Sequence, residues 1–209
     1  MNDEPPVVYV IDDDLSVRGG LEDLLRSIGI AVRTFGSTRD FLASERIDSP
    51  ACIVLDVRLP GTSGLEFQRT LINSGIHLPI IFISGHSDIP ISVQAMKSGA
   101  VEFLTKPLRE QALLDAIQAA VELDRAQRQD AKIVAEFRQR FDSLTSRECE
   151  ILALVIAGRV NKQIAGDLVL SENTVKVHRS QITRKMRAKS LVELVRIADK
   201  LGLSGGRTG

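Results

Sequence analysis

Along the first 120 residues, short apolar runs alternate with stretches of helical spacing. The runs fall at Val7 to Ile11, Ala31 to Phe35, Cys52 to Leu55, Pro79 to Ile83 and Val101 to Leu104. Between them, apolar residues such as Leu21, Leu24, Leu25 and Ile28 repeat at the three- and four-residue intervals of a helix face. Five such units predict an α/β domain, a doubly wound, five-stranded parallel sheet with helices on both faces. In open sheets of this kind, ligands bind beyond the carboxyl ends of the strands. From Arg109 the pattern turns helical and stays so. Leu113, Leu114, Ile117, Ala120, Val121 and Leu123 form a core face, and sparse apolar positions continue at Ala126, Ile133, Val134, Phe137 and Phe141. No proline or glycine interrupts residues 109–141, which predicts a helix extended into a long, charged linker. The spacing approaches a heptad, but Asp130 interrupts the seam of any coiled coil.

The last third is all helical. In "LTSRECEILALVIAG", Thr145 stands three residues before Glu148, the spacing of a capping box, and Gly158 can close the helix. A short helix "NKQIAGDL" follows, with the small Ala165 where the next helix must approach. Ser171 then opens a third helix, "SENTVKVHRSQITRKM". Helix, short turn and helix at this spacing fit a DNA-binding helix-turn-helix. Val175, Ile182 and Met186 mark the inward stripe of the third helix, leaving Asn173, Lys176, Arg179, Ser180 and Thr183 to reach bases and phosphates. The full expected DNA-contacting set is Asn161, Lys162, Asn173, Thr174, Lys176, Val177, His178, Arg179, Ser180, Thr183 and Lys185.

Charge separates the two parts. The chain of 209 residues has zero net charge, yet residues 1–120 hold 10 basic and 16 acidic side chains, and the remainder holds 17 basic and 11 acidic. The halves are therefore −6 and +6, which implies two domains with different partners. Between Arg159 and Lys189 there are eight basic and two acidic residues, a charge a phosphate backbone would attract. A basic cluster alone is as well explained by a solvated face; the helix-turn-helix spacing is what favours DNA. No apolar run approaches the roughly 20 residues of a membrane span, and the acidic start lacks the features of a signal peptide, so the expected location is the cytoplasm. Cys52 and Cys149 make no metal-ligand spacing and read as two buried thiols.

The strand tips of the first part carry chemistry. The first run stops at three adjacent carboxylates, Asp12, Asp13 and Asp14, whose mutual repulsion must be offset. The third run ends at Asp56, the fourth at Ser84 and the fifth at Lys106, before Pro107. Any one of these is ordinary: a lone aspartate there is usually a turn or cap, as Asp14 can be for the helix beginning near Leu15, and a lone lysine is usually solvated. Together they form a coherent site. Clustered carboxylates suit a hard divalent cation such as Mg²⁺ or Mn²⁺, held by Asp13 and Asp56 with Asp12 in support. Lys106 and the Ser84 hydroxyl could neutralise an incoming phosphoryl group, and Asp56 could be its nucleophile.

The stretches "VIDDD", "LDVRLPG", "FISGHSD" and "FLTKP" resemble the receiver domain of bacterial two-component response regulators, over about residues 5–122. That resemblance implies a flavodoxin-like receiver with Asp56 as phospho-acceptor, Asp12 and Asp13 as the acidic pair, Ser84 as switch hydroxyl, Phe103 as switch aromatic and Lys106 as phosphate-binding lysine. It also implies that the Arg58 main-chain carbonyl is a metal ligand and that the peptide before Pro107 is cis. Serine at position 84 departs from the commoner threonine. Gly19 and Gly20 fall inside the first predicted helix, where each costs up to about 1 kcal/mol relative to alanine; close packing or a partner surface would account for them. "LTSRECEIL", "NKQIA" and "LSENTVKVH" resemble the LuxR-type helix-turn-helix over about 140–204. The combination resembles the NarL/FixJ class, with "GHSDIPISVQAMKSGAVEFLTKP" leaning towards its FixJ and StyR branch. It implies that Lys176, Val177 and Ser180 face the major groove and that Leu191 to Leu201 is a dimerising helix. Val169 departs from the glycine or asparagine common in the turn, so the turn differs or carries strain.

The expected organisation is a receiver at 5–122, a helical linker at 123–141 and a DNA-binding domain at 142–204. The expected function is phosphorylation-controlled transcription, as an activator on the family analogy, without enzymatic turnover. Expected partners are a sensor histidine kinase, double-stranded DNA, RNA polymerase and a second copy on phosphorylation, with no membrane. Control could run through receiver pairing or through release of a masked recognition helix. A phosphorylation-independent regulator and an aspartyl-phosphate phosphatase are the alternatives; the intact strand-tip set speaks against the first, and the attached DNA-binding unit against the second.

Overall fold

The computed structural model describes residues 5–85 and 89–203. His86, Ser87 and Asp88 of the "FISGHSD" stretch, and the terminal "SGGRTG", expected to be disordered, lie outside the described residues. The chain divides into two compact units between Arg128 and Gln129.

In chain order the first unit contains β1 (Val7–Ile11), α1 (Leu15–Ser27), β2 (Ala31–Phe35), α2 (Thr38–Ala43), β3 (Ala51–Asp56), β4 (Arg58–Leu59), β5 (Thr62–Ser63), α3 (Gly64–Asn73), β6 (Ile80–Ser84), α4 (Ile89–Lys97), β7 (Glu102–Thr105) and the start of α5 (Glu110–Asp142). All five expected strands form one parallel sheet in the order β2-β1-β3-β6-β7. The two-residue hairpin of β4 and β5 was not expected; it is too short to leave a periodic signal.

Alternation along the strands builds a core on each face. Tyr9 and Ile11 of β1 join Phe41, Phe67 and Leu71 under α2 and α3, while Val8 and Val10 join Leu25, Leu113 and Ile117 under α1 and α5. Each fully buried side chain of this size contributes roughly 1.5–3 kcal/mol. The first core is ordered by aromatic edges: Phe41 meets Tyr9, Phe35 and Phe67 at near-perpendicular angles, 5.4–5.9 Å between centroids. Asp14 caps α1 by accepting from the amides of Ser16 and Val17. A Cβ added at Gly19 or Gly20 would meet no atom within 4 Å, so close packing does not account for these glycines.

The middle of α5 carries a polar cluster. Asp124 is buried on that helix, and its carboxylate accepts from the Ala51 amide at 2.9 Å and from Arg128 Nε at 2.6 Å. Arg128 also donates to Asp48 at 2.6 Å. The helix is thereby fixed to the first residue of β3, the strand whose other end is Asp56. Neither an apolar period nor a motif marks Asp124, so this contact is visible only in the fold.

The second unit holds the rest of α5, followed by α6 (Ser146–Ile156), α7 (Asn161–Leu168), α8 (Glu172–Met186) and α9 (Leu191–Lys200). Ile151, Leu152, Val155, Ile164, Val175, Ile182, Met186, Leu194 and Ile197 form its core, and Phe137 and Phe141 of α5 pack against it. The sparse apolar positions of the supposed linker are thus partly core of this unit. The Thr145 and Glu148 capping box forms as expected, and Gly158, at φ 81, follows the end of α6. Of the two cysteines, Cys52 is buried, and burial together with Asp124 pushes its thiol up to about 12, which leaves it unreactive. Cys149 corrects the expectation of two buried thiols: it is only half-buried, because it lies at the edge of the α6 stripe. Among the described residues, no helix is long and apolar enough to cross a membrane.

Replacing Asp124 with alanine leaves a buried amide without its acceptor and strips Arg128 of its inner partner. The first unit is expected to lose about 1–3 kcal/mol, read as a lower urea midpoint at unchanged slope.

Candidate functional site

Four parallel strands deliver polar side chains to one edge of the sheet. Asp12 and Asp13 follow β1, Asp56 ends β3, Ser84 ends β6, and Lys106 follows β7. Lys106 joins three of these tips: its ammonium donates to Asp12 Oδ2 at 2.7 Å and to Asp56 Oδ2 at 2.6 Å. The other oxygens face the main chain, with Asp12 Oδ1 accepting from the Asp14 amide at 2.9 Å and Asp56 Oδ1 from the Arg58 amide at 2.8 Å. Asp12 is fully buried, Asp56 and Ser84 are buried, and Asp13 is exposed.

Burial pushes the Asp12 carboxyl above its ordinary range, even against the pull of the Lys106 ammonium and the Asp14 amide. Burial also opposes the charge on Lys106, but its two carboxylate partners override it and hold the ammonium above the usual lysine range. One oxygen from each of Asp12, Asp13 and Asp56 lies within 4.8 Å of the others. Three carboxylates against one ammonium leave this edge negative, and an all-oxygen donor set of that size can hold a hard divalent cation.

Lys106 reaches the site through a peptide that turns sharply. The Lys106–Pro107 bond is cis, as the resemblance implied, and the Lys106 amide donates to the Ser84 carbonyl at 2.7 Å, tying the ends of β6 and β7. Phe103 on β7 is half-buried against Phe82, 6.5 Å between ring centroids. Arg58, at the start of β4, stands two residues beyond Asp56.

Two supporting residues carried no sequence signal. Arg18 on α1 donates to the Asp12 carbonyl at 2.5 Å and so holds the tip of β1. Gly64 opens α3 where a Cβ would lie 2.7 Å from the Asp56 carbonyl and 3.0 Å from the Phe82 ring. "PGTSG" reads as an ordinary turn, and only the fold shows which of its glycines touches Asp56.

In the second unit, α7 and α8 form the helix-turn-helix. Val175, Ile182 and Met186 are buried and Asn173, Lys176, Ser180 and Thr183 are exposed, as their spacing predicts. Val177 is also exposed, and Lys162 lies exposed on α7. Thr174 and His178 are half-buried; the Thr174 amide donates to the Ser171 cap. Arg179 is half-buried too, and its guanidinium donates to Asn161 Oδ1 at 2.8 Å, linking the recognition helix to the start of α7. Lys185 is not on the outer face. Its ammonium donates to Glu148 at 2.5 Å and to the Ser143 carbonyl at 3.3 Å, because α8 passes the buried capping carboxylate of α6 at this point. Burial raises the Glu148 carboxyl, but the hydrogen bonds from Lys185 and the Thr145 amide override it, and the net shift is downward.

The turn resolves the question posed by Val169, which adopts φ 54 and ψ 51. A side chain in this left-handed conformation costs roughly 1–2 kcal/mol, and a β-branched one is an outlier there. Arg187 ends α8 in the same conformation, at φ 52.

Residues 8–118 match the family "response regulator receiver domain", and residues 142–204 match "bacterial regulatory proteins, luxR family". The chain belongs to the two-component response regulators. This regulator is 50% identical to nodulation protein W of Bradyrhizobium diazoefficiens, over 97% of this chain and 89% of that protein. It is 41% identical to the transcriptional regulatory protein FixJ of Azorhizobium caulinodans, over 94% and 93% of the two chains. Among solved structures it resembles the response regulator StyR, with a TM-score of 0.78 and 49% identity over 94% of this chain and 99% of that one. The regulator is therefore of the NarL/FixJ class, a receiver joined to a DNA-binding unit that acts in transcription, as its relatives do.

Two tests follow from the geometry. Glu148 has its folded-state pKa lowered, so its contribution to stability is present above the unfolded value of about 4.5 and is lost as pH falls through the folded one. The Tm of the second unit is expected to fall as pH drops below that value, and Glu148→Gln to flatten the dependence while costing about 2 kcal/mol at pH 7. Gly64→Ala forces α3 or the tip of β3 to move, and is expected to destabilise the first unit by about 1–3 kcal/mol in urea denaturation.

Proposed function

We propose that Asp56 is the phospho-acceptor of this response regulator, on one observation above all: a single ammonium bridges Asp12 and Asp56 at the tips of different strands. Asp56 is an oxygen nucleophile held by a main-chain amide on one side and by a lysine on the other. Its carboxylate attacks the phosphorus of a phosphohistidine on the sensor kinase. The new bond is carboxylate oxygen to phosphorus, the broken one is nitrogen to phosphorus, and the imidazole leaves with a proton. Asp12, Asp13, Asp56 and the Arg58 carbonyl would hold Mg²⁺ or Mn²⁺, which when bound supplies positive charge for the phosphoryl oxygens. Lys106 moves its contact from the Asp56 carboxylate to a phosphoryl oxygen, the Ser84 hydroxyl donates to another, and Phe103 repacks.

The chemistry then passes to a surface. Ile89, Val93 and Met96 form an exposed stripe on α4, spaced as one helix face. Repacking of Phe103, on the neighbouring strand β7, would favour burying that stripe against a second copy. In the second unit, Leu191 and Val192 of α9 are likewise exposed and suited to pairing. Paired recognition helices would read a two-half-site operator. Asn161, Lys162, Asn173, Thr174, Lys176, Val177, His178, Arg179, Ser180 and Thr183 form the DNA contact set, with Asn161 positioning Arg179, and Lys185 serves structure more than DNA. The organisation is a receiver over 5–122, a helical connection over 123–141 whose first residues, to Arg128, still fasten to the receiver, and a DNA-binding domain over 142–204. The regulator works in the cytoplasm, activates transcription with RNA polymerase, and turns over no small-molecule substrate.

Incubation with Mg²⁺ and a small acyl phosphate, followed by mass spectrometry, is expected to find one phosphoryl group on Asp56 and none in Asp56→Asn. Phosphorylation is expected to raise both dimer content and affinity for duplex DNA. Rapid, continuous release of phosphate with unchanged DNA binding would instead support a phosphatase.

A further inference from the structure

Asp13 is the one carboxylate of the strand-tip cluster without a fastening of its own among the described residues. It is exposed and takes part in no hydrogen bond or ion pair there, yet one of its oxygens lies within 4.8 Å of oxygens of Asp12 and Asp56. Its direction is therefore set by the main chain that carries it. That main chain is bonded on both sides: the Asp12 amide donates to the Phe35 carbonyl at 3.2 Å, the Asp14 amide donates to Asp12 Oδ1 at 2.9 Å, and the Asp14 carboxylate caps α1. The peptide group that joins Asp12 to Asp13 is held from elsewhere. Its carbonyl accepts from Arg18 Nη1 at 2.5 Å, from the first turn of α1.

The guanidinium is itself confined. Arg18 is half-buried, and its Nη1 lies 3.5 Å from the place a Cβ on Gly36 would take, so the residue after β2 lies against it. Two effects of this group on a bound cation oppose each other. As a positive charge near three carboxylates it repels the ion. As a clamp on the Asp12–Asp13 peptide it keeps a ligand in place, and outer partners of metal ligands are typically worth about 10–100-fold in affinity. Among the described residues it bonds none of the three carboxylates, and water screens the charge of a half-exposed group. The clamp is therefore the larger effect.

The structure assigns Arg18 to the divalent-cation site as a positioning residue: it holds the Asp12–Asp13 peptide and so presents the Asp13 carboxylate to the ion. This rests on the reading above that Asp12, Asp13 and Asp56 hold Mg²⁺ or Mn²⁺.

The test is Mn²⁺ binding to the full chain, read from the electron paramagnetic resonance signal of the free ion, in the wild type, Arg18→Met, Asp13→Asn and the double variant. Arg18→Met is expected to weaken Mn²⁺ binding by about tenfold. In the Asp13→Asn background the same change is expected to cost less than about twofold, because the carboxylate it positions is gone. A purely structural role would weaken binding equally in both backgrounds, and that result would overturn the assignment. Unchanged or tighter binding by Arg18→Met would overturn it too, and would leave Arg18 as a charge beside the site. The urea midpoint of the first unit separates loss of the site from loss of the fold; where Arg18→Met does not fold, Arg18→Gln, whose amide is too short to reach the carbonyl, takes its place with the same expected loss. Wild-type protein that binds no Mn²⁺, or binding that Asp13→Asn leaves unchanged, would refute the cation site itself and the role of Arg18 with it.

Discussion

The receiver depends on one ammonium. Without Lys106, the tips of β1 and β3 would bring carboxylates together in a place where Asp12 is sealed from water, and water could not screen their repulsion. With it, three strands are pinned at their carboxyl ends, and the remaining negative charge is turned outward at Asp13. The site is therefore stable yet incomplete. It is short of positive charge, and its carboxylate oxygens form a donor set that can hold a hard divalent cation. The hydrogen bond from the Lys106 amide to the Ser84 carbonyl ties the end of β7 to that of β6 beside the ammonium.

The second unit solves a different problem with the same type of contact. Glu148 caps α6 and meets Lys185 on α8, so a single buried carboxylate closes one helix and docks another. Removing either partner would leave the other charge half-satisfied, which is the costly direction for a buried pair. The outer face of α8 is thereby left to Asn173, Lys176, Val177, Ser180 and Thr183, beside an Arg179 that Asn161 holds in place.

Much of this was legible in the sequence, because strand periodicity, terminal carboxylates and caps are local signals. The five strands, the acidic cluster, Lys106, and the caps at Asp14, Thr145 and Ser171 all follow from neighbours within a few positions. What was hidden is long-range. Gly64 looks like any turn glycine until α3 is laid across the Asp56 carbonyl. Asp124 and Ala51 are far apart in the chain, and no spacing rule links them. Lys185 sits among basic residues and reads as one more DNA contact; only its distance to Glu148 separates it from them. Val169 was legible as an anomaly, and backbone angles alone could say that the strain is present.

The polar cluster midway along α5 bears on how the protein can be rebuilt. Asp124 and Arg128 lie beyond the last sheet-covering turn of the receiver, yet they belong to its framework through Ala51 and Asp48. A chimera that exchanges output domains at residue 122 would discard that framework from the donor receiver. A splice placed after Arg128 would keep it, and with it the fastening of the strand that carries Asp56. The natural module therefore runs nearly two helical turns further along α5 than its sheet requires.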